Sequence, residues 1–105
     1  VQENPSTSVR LALNRLWVPT HLASKDAQIY VKFLREHAAD CADQVLDSPW
    51  RISLLQMLRG WDYFDRDLLD YWSRRCVQCR DPQAVSLLSQ VQREKYPVKK
   101  KQYLF

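Results

Sequence analysis

A repeat with a period of 33 residues is the feature that most constrains the fold of this chain. The matched pairs are Pro49 with Pro82, Ile52 with Val85, Ser53 with Ser86, Leu54 with Leu87, and Leu55 with Leu88. Repeated pairs of antiparallel helices give such a period, because each pair has an apolar stripe that needs a neighbour. The repeat predicts an all-α fold of stacked antiparallel helix pairs, similar to a TPR-type helical repeat. The alternative is a coincidental match in a leucine-rich chain.

The composition also favours helices over sheets. The chain has one glycine in 105 residues, whereas sheets and hairpins use glycine-containing turns. The apolar fraction of 46% is enough for one modest core. No run of about 18 apolar residues is present, so the sequence contains no candidate membrane span. We therefore expect a single helical domain.

Apolar residues at three- and four-residue steps place the first two helices. The first is expected to start after Ser8 and to be ended by Pro19. The second is expected to run without interruption from Ser24 to about Leu46. Its apolar stripe consists of Ala27, Val31, Leu34, Ala38, Cys41 and Val45.

Capping signals place the remaining helices, giving about five in all. Residues 47–49 (Asp-Ser-Pro) predict a helix start with proline at the first helical position, and Gly60 is expected to cap its end. Asp62 or Asp65 is expected to cap the next helix, and residues 81–82 (Asp-Pro) open the last one.

Three segments follow from these assignments. Residues 1–7 are expected to form a flexible arm, residues 8–97 the helical domain, and residues 98–105 a basic and apolar tail. The tail ends in Tyr103, Leu104 and Phe105, which either fray, as chain ends often do, or insert into a partner.

The four tryptophans exceed the number that a core of this size needs to bury. Exposed tryptophan is enriched at protein interfaces. Trp50 at a helix start and Trp61 in a turn are therefore predicted to contact a partner, together with the tail residues Tyr103, Leu104 and Phe105. The competing interpretation places some of these tryptophans in the core.

The order of residues over about 51–95 resembles the matrix-side helical subunit of mitochondrial cytochrome c oxidase, called subunit Va in animals and subunit VI in fungi. The matching elements are Trp61-Asp62, Leu68-Leu69-Asp70, Arg74 with Cys76, Asp81, and Ala84-Val85. Residues 63–66 lack the proline that this family has after its aromatic-Asp pair, and Asp81-Pro82 requires a one-residue deletion.

This resemblance implies a non-catalytic accessory subunit of a respiratory complex. Such a subunit lies on the matrix face of the mitochondrial inner membrane, is peripheral to it, and binds neither haem nor copper. It stabilises the assembly and contacts other subunits.

A zinc site is the sharpest alternative for the cysteines. Cys76 and Cys79 form a C-x-x-C pair, and His37 and Cys41 are one helical turn apart, so four ligands would converge if the two helices met. The competing interpretation, which we prefer, makes Cys41 and Cys76 small core residues, because Cys79 ends a helix instead of lying in a knuckle turn. Three cysteines without a disulfide framework fit a reducing compartment.

RNA binding by a helical repeat, as in a mitochondrial ribosomal protein, is the second function considered. The net charge is only +4, but a local basic patch near Trp72 and Tyr96 would suit RNA. The patch comprises Arg74, Arg75, Arg80, Arg93, Lys95 and Lys99 to Lys101. No glycine-rich phosphate loop or recognisable nucleophile near His21 or His37 indicates an enzyme.

Overall fold

The structure is a computed structural model that describes residues 5–17 and 23–97. This part of the chain is all-α, without strands, which confirms the predicted fold class. The described helices are α1 (Pro5–Trp17), α2 (Ser24–Glu36), α3 (Ala38–Leu46), α4 (Arg51–Gly60), α5 (Arg66–Cys79) and α6 (Pro82–Lys95). About five helices were expected, and the described residues form six.

Helical hairpins stack on one another, as the repeat predicted. The α3–α4 hairpin packs on the α5–α6 hairpin through contacts of α3 with α5 and of α4 with α6, and α1 contacts α2, α3 and α4. Leu55 and Leu88 occupy equivalent buried positions, whereas Val85 is exposed where Ile52 is half-buried. The repeat is therefore closest at the positions that face the core.

Helix α1 begins earlier than expected, at Pro5 instead of after Ser8. Proline is favoured in the first turn of a helix, where its missing N–H group leaves no hydrogen bond unmade. Residues 5–7 of the predicted flexible arm are thus helical, and residues 1–4 lie outside the described part, as does Pro19.

The uninterrupted helix expected between Ser24 and Leu46 is wrong, because the backbone breaks at His37 (φ −116°, ψ 46°). The Tyr63 hydroxyl donates a hydrogen bond to the Leu34 carbonyl at 3.1 Å. Arg35 donates to the Tyr63 carbonyl at 2.9 Å and to the Asp62 carbonyl at 2.6 Å. These contacts anchor the end of α2 while α3 packs on α4 and α5, so the two segments follow different neighbours.

The connection between α4 and α5, residues 61–65, is called here the α4–α5 turn. Its N–H groups at positions 62 and 63 donate to the Arg59 and Leu58 carbonyls, each at 3.0 Å, which is the Schellman pattern. The left-handed residue that this motif requires is Asp62 (φ 57°), whereas Gly60 is the last helical residue and has no positive φ. Gly60 therefore ends α4 without the expected capping conformation.

The predicted caps of the last two helices are confirmed. Asp65 is the N-cap of α5, and its carboxylate accepts from the Leu68 N–H at 2.8 Å. Asp81 caps α6 with Pro82 at the first helical position, as predicted. By contrast, residues 47–50 form a turn and α4 starts at Arg51, two residues after the expected position of Pro49.

Tyr63, Phe64 and Trp72 form an aromatic cluster within the buried core. The three rings meet edge to face, with centroid separations of 5.0 to 5.6 Å, an arrangement that the ring quadrupoles favour. All three side chains are buried. This cluster joins the α4–α5 turn to α5 and fixes the relative position of the two hairpins.

Candidate partner-binding groove

An apolar groove between α1 and the start of α4 holds the two most exposed tryptophans among the described residues. It has a volume of about 580 Å³, and it is called here the two-tryptophan groove. Its lining residues are Arg10, Leu13, Asn14, Trp17, Gln44, Ser48, Trp50 and Leu54. We regard it as the candidate functional site because exposing the apolar surface of a tryptophan ring to water is energetically unfavourable.

Helix α1 supplies one wall of the two-tryptophan groove. Leu13 belongs to the buried face of the helix, while Arg10, Asn14 and Trp17 follow at helical spacing along one edge of that face. Trp17 is 46% exposed. Trp17, at the edge of the apolar stripe, therefore lines the groove and is not buried in the core.

The turn before α4 supplies the other wall. The Trp50 N–H donates to Ser48 Oγ at 3.0 Å, and the Arg51 N–H donates to the Ser48 carbonyl at 3.2 Å. Arg51 in turn donates to the Leu46 carbonyl at 2.9 Å and to the Asp81 carboxylate at 2.8 Å. Trp50 thus lies in a turn whose backbone is held by these hydrogen bonds, and 67% of its surface is exposed.

Gln44 ties the end of the groove on α3 to the start of α1. Its side-chain amide donates to Ser6 Oγ at 2.9 Å and also to the Ser6 carbonyl. Among the lining residues, Arg10 is the single charged side chain. The chemistry that this arrangement offers is burial of apolar side chains beside one cation, which is typical of a protein-binding surface.

The predicted interface residues do not all meet in this groove. Trp50 lies in it, whereas Trp61 is half-buried and packs against the core at the end of α4. Tyr103, Leu104 and Phe105 lie outside the described residues. Trp17 was not predicted from the sequence to be an interface residue. Its position on the same helical edge as Arg10 and Asn14, at the border of the apolar stripe, could have indicated this role.

The four residues of the zinc hypothesis are not assembled into one site. Cys76 and Cys79 are adjacent, with their sulfurs 3.7 Å apart, but His37 packs against the Phe33 ring at 4.4 Å. Within residues 5–17 and 23–97, no three histidine, cysteine or acidic side chains come together to hold a metal ion. The cysteine pair and the histidine therefore have separate surroundings.

Cys41 is a core residue beside Tyr63. Burial raises the pKa of the Cys41 thiol to about 12, and a hydrogen bond with Tyr63 opposes this shift. Burial, followed by the neighbouring Cys41, raises the pKa of the Tyr63 phenol above its ordinary value. Both groups are thus neutral near pH 7 and add polar contacts to the core.

Three of the five residues of the predicted basic patch that the structure describes pair with acidic neighbours, and Lys99 to Lys101 lie outside the described residues. Arg74 pairs with Asp70, Arg75 pairs with Asp43, and Lys95 pairs with Asp62 at 2.8 Å. The two aromatic residues expected beside this patch also offer little free ring surface. Trp72 is fully buried, and the half-buried Tyr96 ring is covered by the Arg66 guanidinium at 4.6 Å.

Comparison with known proteins gives no relative from which a function could be transferred. No known family model, curated protein or solved structure matches this chain. None of the helices in the described ranges is both long and apolar enough to cross a membrane.

Proposed function

We propose that this chain is a non-catalytic accessory subunit that binds a protein partner through the two-tryptophan groove. The observation that carries the proposal is the pair of exposed indole rings, Trp17 and Trp50, on opposite walls of one groove. Covering their exposed surface would contribute on the order of 5 kcal/mol before the costs of association. A partner with apolar side chains is the occupant that this surface favours.

The composition of the core supports this assignment, because neither Trp17 nor Trp50 is one of the buried core residues. The buried face of α1 consists of Val9, Ala12, Leu13 and Leu16, and that of α4 includes Leu55 and Leu58. The exposed rings are therefore additional to the packing that holds these helices together. Surface groups that serve neither packing nor capping are candidates for recognition.

The assembly that we propose is a mitochondrial respiratory complex, with cytochrome c oxidase first, and the chain peripheral on the matrix side of the inner membrane. This part rests on the sequence resemblance over about 51–95. Several of the matching residues shape the fold: Asp62 adopts the left-handed conformation of the α4–α5 turn, and Leu68 and Leu69 are buried. The groove then supplies the contact to a neighbouring subunit.

An RNA-associated role is the alternative. Stacked helical hairpins are compatible with it, but the ion pairs of Arg74, Arg75 and Lys95 reduce the charge available to phosphate groups. The protein-binding groove is therefore the better-supported function.

Purification of the tagged full-length chain from its source organelle tests the assembly. We expect the oxidase core subunits in the mass spectrum and a haem a absorption spectrum in the same fraction. Recovery of ribosomal RNA with ribosomal proteins, lost on adding salt, would refute the respiratory assignment and favour the RNA alternative.

The groove itself is tested by comparing Trp50→Ala with Val77→Ala in the same purification. Val77 is a matched control because it is 66% exposed but lies on α5, outside the groove. We expect at least about a tenfold loss of recovered partner for Trp50→Ala, as for a central interface residue, and no loss for Val77→Ala. Equal recovery for both variants would show that the groove is not the contact surface.

A further inference from the structure

The last turn of α5 carries two cysteines in contact. The sulfurs of Cys76 and Cys79 are 3.7 Å apart, and the Cys79 thiol donates to the Cys76 carbonyl at 2.9 Å. Cys76 is buried, whereas Cys79 is half-buried. The two thiols therefore form one group with an accessible member and an enclosed member.

The backbone around this pair can accommodate a bond between the sulfurs. Side chains three residues apart on a helix have Cβ atoms about 5–6 Å apart, and a disulfide needs about 3.5–4.5 Å. The difference of about 1.5 Å has to be taken up by a tighter last turn. That turn is free to tighten, because α5 ends at Cys79 and Arg80 follows in the left-handed conformation (φ 55°).

We propose that Cys76 and Cys79 are a reversible redox site, which a small-molecule disulfide such as oxidised glutathione converts to an intrahelical disulfide. In the first step the Cys79 thiolate attacks one glutathione sulfur, so the glutathione disulfide breaks and one glutathione thiolate leaves. In the second step Cys76 attacks the Cys79 sulfur of this mixed disulfide, gives up its proton, and releases the second glutathione. The protein thiols lose two electrons and two protons, and one oxidised glutathione becomes two reduced ones.

The order of the two steps follows from the surroundings of each thiol. Cys79 is partly exposed to solvent, whereas Cys76 has no exposed surface. Burial, followed by the hydrogen bond with Cys79, raises the pKa of Cys76 to about 12, so Cys76 is a poor nucleophile for an external reagent. It attacks second, where its fixed position beside the Cys79 sulfur compensates for its low thiolate fraction.

The third cysteine, Cys41, serves as an internal control for the reactivity of this site. Cys41 is fully buried beside Tyr63 in the core, and it belongs to α3 and not to the last turn of α5. The site therefore predicts that two of the three cysteines in the chain react, and that Cys41 stays reduced while the protein is folded.

The experiment incubates the folded full-length chain in a series of glutathione redox buffers and traps free thiols by alkylation. Intact mass and peptide mapping then identify the products, and circular dichroism confirms that the helices persist. We expect a reversible loss of two alkylatable thiols, a Cys76–Cys79 disulfide peptide, and full recovery after dithiothreitol. Three free thiols in the most oxidising buffer, or a disulfide that forms only in urea, would overturn the proposal.

Three variants separate the roles of the cysteines. Cys79→Ser is expected to reduce disulfide formation to background, and Cys41→Ser is expected to leave it unchanged. Cys76→Ala, which keeps a small apolar side chain in the core, is expected to accumulate a stable glutathione adduct on Cys79. An adduct on Cys76 in the Cys79→Ser variant at the same rate would contradict the assigned order.

Discussion

The aromatic cluster and the two-tryptophan groove use similar side chains in opposite ways. Tyr63, Phe64 and Trp72 are buried and meet edge to face, and the carbonyls around them are held by Arg35 and Lys95. Trp17 and Trp50 instead project from braced backbone into an open groove. One region therefore stabilises the fold, and the other leaves apolar surface for a partner.

The comparison shows that residue type alone does not assign an aromatic side chain to the core. The α4–α5 turn is closed by long-range hydrogen bonds from α2, with Arg35 reaching Asp62 and Tyr63. At the groove, the hydrogen bonds of Ser48 and Arg51 fix the backbone around Trp50 and leave the indole ring uncovered. Aromatic surface is buried where neighbouring elements converge on it.

The largest predicted contrast is between Trp72→Ala and Trp50→Ala. Trp72→Ala is expected to cost about 3–5 kcal/mol of unfolding free energy, because it leaves a cavity in the aromatic cluster. Trp50→Ala is expected to change stability by less than about 0.5 kcal/mol, as for an exposed side chain. Urea unfolding followed by circular dichroism measures both, and similar costs for the two variants would remove the distinction between the regions.

The protonation state of the core gives a second prediction. The folded Cys41 thiol has its pKa raised to about 12, above the ordinary value of about 8.5. The stabilisation of the fold by the neutral Cys41 thiol is therefore complete below about pH 8.5 and is lost as the pH rises toward 12, by about 3 kcal/mol at pH 10.5. Urea unfolding of the wild type and Cys41→Ala at both pH values measures this loss, which should be smaller in the variant.

Tyr63→Phe tests the hydrogen bond that joins the aromatic cluster to the break at His37. We expect a loss of about 1–2 kcal/mol, because the variant keeps the ring and leaves the Leu34 carbonyl without the phenol donor. Hydrogen exchange should report faster opening around residues 34–38 than in the wild type. Unchanged exchange there would show that the phenol does not hold the break.

Gly60→Ala is predicted to have a small effect on stability, of the opposite sign. Gly60 is helical, has no positive φ, and an added Cβ would meet no atom within 4 Å. Alanine is therefore expected to stabilise the fold by about 0.4–1 kcal/mol through a less flexible unfolded chain. A higher midpoint of thermal unfolding would confirm this, whereas destabilisation would mean that Gly60 has a capping role after all.

Local signals made much of the fold predictable. The caps at Asp65 and Asp81 could be predicted because each carboxylate acts on N–H groups two or three residues away. The buried positions Ala27, Val31 and Leu34 follow from helical periodicity. These features depend on neighbours in the sequence, so the sequence suffices to locate them.

Features that depend on distant contacts were missed. The break at His37 coincides with contacts from Tyr63, which is far along the chain. Trp61 is half-buried and Trp17 is exposed, because the exposure of a side chain depends on which helices pack nearby. Asp62 took the left-handed position expected of a glycine, and its side chain pairs with Lys95.

Oxidative footprinting of the tryptophans, in the free chain and in the native assembly, tests most directly whether Trp17 and Trp50 serve a partner. We predict that both indole rings are modified readily in the free chain and are protected in the assembly, while Trp72 is protected in both. Equal modification of Trp17 and Trp50 in the two states would contradict the proposed role of the two-tryptophan groove.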